Sequence, residues 1–130
     1  MQKDIKKIAK ALSKGDIQEA LTIREDMGDI DLGTEIEICE IVRQAIIAFL
    51  KKGEIYNARA AESAFDMEQD SIDETVRQAV MSVFRDGDME KIAELRDGLP
   101  ISKTMAEELI QYCASWGKPA SVACMQAVFA

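Results

Sequence analysis

Four glycines, Gly15, Gly53, Gly87 and Gly117, carry the same apolar pattern around them, and that register leaves this 130-residue chain few folds to choose from. Seven, four and three residues before each glycine stand Ile8, Ala11 and Leu12; Ile46, Phe49 and Leu50; Val80, Val83 and Phe84; and Ile110, Cys113 and Ala114. Two, five, eight and twelve residues after it stand Ile17, Ala20, Ile23 and Met27; Ile55, Ala58, Ala61 and Phe65; Met89, Ile92, Leu95 and Leu99; and Pro119, Val122, Met125 and Phe129. Both spacings describe one face of a helix. Each glycine therefore punctuates a helix pair, supplying the left-handed residue that ends the first helix. The tetrapeptide Val-Arg-Gln-Ala, at 42–45 and again at 76–79, begins eleven residues before its glycine in both copies.

Periods of 38, 34 and 30 residues between the glycines indicate stacked hairpins, since one hairpin cannot bury its own apolar stripe. The expected fold is all-α: a single-domain α-α superhelix of about four helical hairpins, at roughly 1–30, 31–69, 70–99 and 100–130. A compact irregular bundle of the same helices is the alternative. Thr34 with Glu37, Ser71 with Glu74 and Thr104 with Glu107 each spell a capping box, which predicts the starts of the later first helices. The distance from cap to glycine then shrinks from 19 to 16 to 13 residues. Residues 29–38 alternate like a strand, but a lone short strand has no sheet to join, so a loop leading into the helix at Thr34 is expected.

The stretches Gly15-Asp16-Ile17-Gln18-Glu19-Ala20-Leu21 and Gly53-Glu54-Ile55-Tyr56-Asn57-Ala58 resemble the glycine-to-alanine turn of tetratricopeptide and pentatricopeptide repeats. Leu109 to Val122, preceded by Asp97-Gly98-Leu99-Pro100, is similar to the pentatricopeptide pattern in particular. The first resemblance implies a protein-binding scaffold. The second implies single-stranded RNA, read near the start of each first helix.

Charge weighs against RNA. The chain carries a net charge of −8, and the helix openings at Glu35, Glu37 and Asp73 are acidic, where phosphate binding needs Lys and Arg. There is no histidine, which removes the commonest general base and metal ligand, and Cys39, Cys113 and Cys124 lack metal-site spacing. Asp29, Asp31 and Glu40 fall at three positions of a calcium loop, but Thr34 occupies the place where its sharp turn needs glycine. No catalytic residue, cofactor or metal is expected, and the chain reads as a non-enzymatic protein-protein interaction module, with RNA binding as the alternative. No signal-peptide core or membrane-length apolar run is present, so a cytoplasmic location is expected.

Three surfaces are candidates. The C-terminal helix has no charge from 119 to 130, so Trp116, Val122, Met125, Val128 and Phe129 form a candidate interface for self-association or a partner. Glu35, Glu37, Glu40, Glu62, Asp66, Asp70 and Asp73 form a candidate acidic groove for a basic partner. Lys3, Lys7, Lys10 and Lys14 line one face of the first helix as a candidate basic patch.

Overall fold

The computed structural model of the chain describes residues 2–115 and 119–129, with no side-chain description at 119–122 and 124. Among these residues it is all-helical, with eight helices: α1 (Gln2–Ser13), α2 (Ile17–Asp26), α3 (Leu32–Lys51), α4 (Ile55–Ala64), α5 (Gln69–Asp86), α6 (Met89–Gly98), α7 (Lys103–Ser115) and α8 (Pro119–Val128). They pair as hairpins, α1 with α2, α3 with α4, α5 with α6 and α7 with α8. The hairpins stack in chain order. The first helices pack as α1 on α3, α3 on α5 and α5 on α7, while α2 lies on α4 and α6 on α8.

Three of the hairpin turns are nearly the same object. Gly15, Gly53 and Gly87 hold φ of +78°, +78° and +79°, a region that costs a side-chain-bearing residue steric strain. At each, the glycine N–H and the N–H that follows bond back to the carbonyls three and five residues earlier. These are Gly15 to Leu12 and Asp16 to Ala11, Gly53 to Leu50 and Glu54 to Phe49, and Gly87 to Phe84 and Asp88 to Val83. This is the Schellman closure, which satisfies carbonyls the helix end leaves unpaired. The next residue then opens the second helix. Asp16 Oδ1 accepts from Glu19 N and Asp88 Oδ1 from Lys91 N, both at 3.1 Å, whereas Glu54 makes no such bond.

The predicted capping boxes are not the caps. Asp31 caps α3, accepting from the backbone N–H of Thr34 at 2.8 Å, so Thr34 lies inside the helix. Ser71 is the third residue of α5, and Glu68 at its cap makes no side-chain bond. Ser102 Oγ accepts from Met105 N at 3.1 Å, which places Thr104 inside α7. An aspartate three residues ahead of Thr34 is the stronger acceptor, and it draws the helix start forward. Leu32 and Gly33, expected in the loop ahead of Thr34, therefore belong to α3.

The register holds through three units and changes in the fourth. Ile8, Ala11, Leu12, Ile46, Phe49, Leu50, Val80, Val83 and Phe84 are all buried. In α7 Cys113 is buried, but Ile110 is half-buried and Ala114 exposed, and the buried face is Met105, Ala106, Leu109 and Cys113. The flanks explain this. Among the first helices α1 packs only on α3, and it buries Ile5, Ile8, Ala11 and Leu12; α7 packs only on α5 and buries its opposite flank. The flank carrying Ile8, Ile46, Val80 and Ile110 is thus the one turned toward the following unit.

Candidate protein-binding face

Along that flank of α3 run Leu32, Ile36, Cys39, Arg43, Ile46 and Leu50, at successive spacings of three and four residues that place them on one helical stripe. Exposure falls along it. Leu32 is 74% and Ile36 60% exposed, Cys39 is exposed, Arg43 is half-buried, and Ile46 and Leu50 are fully buried. α3 begins 21 residues before its glycine and α5 begins 18 before. α3 therefore starts three residues ahead of α5, just under one turn, and its apolar stripe emerges into solvent toward that end.

Where the stripe passes the chain from α4 to α5 there is a cleft of about 450 Å³, lined by Arg24, Glu35, Ile38, Cys39, Val42, Arg43, Phe65, Asp66, Met67, Glu68 and Ser71. Ile38, Val42, Phe65 and Met67 supply its apolar surface, and the charged groups supply its rim. Arg24 is committed on two sides, donating to the Gly28 carbonyl and to Glu35, both at 3.0 Å, which ties the first hairpin to the start of α3. Arg43 pairs with Glu40 at 3.1 Å, while its Nε is shut from solvent without an acceptor. Asp66 and Glu68 have no cation partner among the described residues. Asp66 also holds φ of +49°, the one positive φ of a non-glycine residue among those described, at a turn that repeats the glycine closure. Burial, then the Glu35 carboxylate, push the Cys39 thiol above its ordinary range, with Arg24 opposing. Cys39 is therefore a protonated wall residue at neutral pH and a weak nucleophile.

A related cleft recurs two units on, about 850 Å³, between α7, the end of α8 and Arg96. Arg96 stands nine residues after its glycine as Arg24 does, and Phe129 twelve after as Phe65 does. Arg96 donates to the Val128 carbonyl. Between the middle units the corresponding positions hold Glu62 and Leu99, both buried.

The predicted acidic groove is only partly assembled. Glu35 and Asp66 meet in the cleft, while Glu37, Glu40, Asp70 and Asp73 lie outside its lining. Glu62 is not a groove residue: it is 5% exposed on α4, one oxygen on Arg59 at 3.1 Å and the other without a partner. Its place on the face shared with Ala58 and Ala61 buries it. In the predicted C-terminal interface, Met125 is fully buried in the core, and Val128 and Phe129 are half-buried against it. Met125 is sealed where α8 packs on α6 and α7, while Val128 and Phe129 line the larger cleft beside Arg96. Trp116 and the side chain of Val122 lie outside the described residues. Lys3, Lys7, Lys10 and Lys14 are all exposed on α1.

Leu32 and Ile36 were missed as surface residues. Periodicity continues the buried stripe through them, so no spacing in the sequence signals their exposure. No group of His, Cys, Asp and Glu among the described residues is placed to hold a metal, and no helix there is long and apolar enough to cross a membrane. No protein-family model, curated protein or solved structure matches the chain.

Proposed function

We propose that this protein is a non-enzymatic binding module, a short stack of helical hairpins that presents the overhanging end of α3 to a protein partner. The observation that supports it most is the exposure of Leu32 and Ile36 beside a cleft walled by α3 and the α4–α5 connection. Bulky aliphatic side chains held in water next to a concave, partly apolar site lose that unfavourable hydration when a partner covers them. The absence of histidine and the protonated state of Cys39 agree with a binding role. The acidic rim favours protein over nucleic acid, whose phosphates it repels.

Affinity capture from the host's lysate, with and without nuclease, tests the reading when Ile36→Ser serves as a second bait. A protein retained after nuclease by the wild type and lost by Ile36→Ser is the expected result. Recovery that depends on nucleic acid would replace this reading with RNA binding.

A further inference from the structure

We propose that the overhanging face of α3 receives a basic amphipathic helix from a partner protein. Its apolar side chains would sit on Leu32, Ile36 and the mouth of the cleft, and its lysines or arginines would face Asp66 and Glu68. The inference rests on the binding-module reading and names the partner's chemistry.

The shape of the site selects a helix. From Leu32 to Arg43 the stripe advances eleven residues, about 16 Å of helix axis at ~1.5 Å per residue, which matches three turns of a helix lying alongside. Apolar anchors four and three residues apart are what a helix laid in a groove supplies. A peptide adding as a strand has no sheet edge to join, since no strand is present among the described residues.

The charge selects a basic one. At the cleft Asp66 and Glu68 are exposed, while Glu62 is buried on Arg59 and Glu74 pairs with Arg77. The two cations at the cleft are already engaged, Arg24 by Glu35 and Arg43 by Glu40, which leaves Asp66 and Glu68 to a cation from outside. Asp66 keeps its carboxylate there in a backbone conformation that glycine would hold with less strain.

A second copy of the chain fits worse. Its one basic stripe, Lys3, Lys7, Lys10 and Lys14, lies on α1, whose apolar residues Ile5, Ile8 and Leu12 are all buried in its own core. That helix offers charge without anchors, and two copies at −8 repel each other.

The full chain is used as bait for phage-displayed random peptides of helical length. The enriched peptide and a designed leucine–lysine amphipathic helix are then titrated by fluorescence anisotropy against the wild type, Leu32→Ser/Ile36→Ser and Asp66→Gly. All three substituted residues are exposed, and circular dichroism checks that each variant keeps its helix content. The expected result is enrichment of cationic peptides with apolar residues four and three apart. Their affinity should drop at least about tenfold in the double serine variant, the worth of one buried aliphatic side chain. It should also drop in Asp66→Gly and with added salt.

Enriched peptides that are not cationic, or that bind the double serine variant unchanged, overturn this inference and leave the binding-module reading standing. A wild-type dimer that the double variant dissolves assigns the face to a second copy and overturns it too. No enriched peptide, together with no captured host protein, overturns both.

Discussion

Gly98, the last residue of α6, lies so close to Ile55 of α4 that a β-carbon at Gly98 would overlap the Ile55 Cδ1 atom. The second helices of the middle units meet here, and the contact exists because position 98 has no side chain. Gly98→Ala should destabilise by up to about 1 kcal/mol, because the flexible end of Ile55 must swing aside, although alanine is the better helix former. Ile55→Val removes the overlapping methyl. In urea unfolding the double variant should recover most of the loss; additive effects would refute the contact.

At Asp66 a left-handed backbone carries a β-carbon. Glycine at that position should exceed alanine by about 1 kcal/mol in unfolding free energy, the strain of φ above zero less the entropy glycine loses on folding. Equal stabilities would mean the turn relaxes. Asp66→Gly thereby separates stability from binding, since it keeps the turn and removes the charge.

Burial raises the Glu62 carboxyl above its ordinary value of 4.5, with Arg59 opposing. The sign follows. Below 4.5 the carboxyl is protonated in both folded and unfolded chains and costs nothing; as pH rises through the folded value the buried charge costs stability, and the cost then stays constant. Glu62→Gln should therefore match the wild type in acid and exceed it at neutral pH. Denaturant midpoints across that range test this, and a wild type that gains on Glu62→Gln as pH rises contradicts it.

Asp31 behaves oppositely. Bonds from the Thr34 hydroxyl and backbone N–H hold its carboxyl below the usual 3.8. Its stabilisation is present above that value and fades as pH falls through the folded value. Asp31→Ala should speed amide exchange at residues 32–36 at neutral pH, and the difference should vanish in strong acid. Loosening this end of α3 should also weaken binding at Leu32 and Ile36.

The thiols should separate by reactivity. Cys113 is buried, and burial pushes its pKa to about 11; Cys39 is exposed but raised. Iodoacetamide at neutral pH should label Cys39 slowly and Cys113 only after unfolding, as read by peptide mass spectrometry. Labelling of Cys113 at the Cys39 rate would show that the α5–α7 packing opens readily.

The hairpin plan was legible in the chain because its determinants are local. A glycine at positive φ and an apolar residue every three or four positions act within a turn or two of themselves, and Gly15, Gly53 and Gly87 gave three matching turns for that reason. Helix starts were less legible, since Asp31 competes as a cap with Thr34 and Ser102 with Thr104, and the choice is made by a fraction of a turn. The candidate site was legible as acidic charge and as little else. Met125 stands eight residues after Gly117, on the face the spacing marks as apolar, whereas a carboxylate at Glu62 reads as surface until the packing against α4 is known. The α3 stripe shows the division most clearly. Periodicity alone puts Ile36 and Ile46 on one face of one helix, and only the packing beside it leaves the first in water and seals the second in the core.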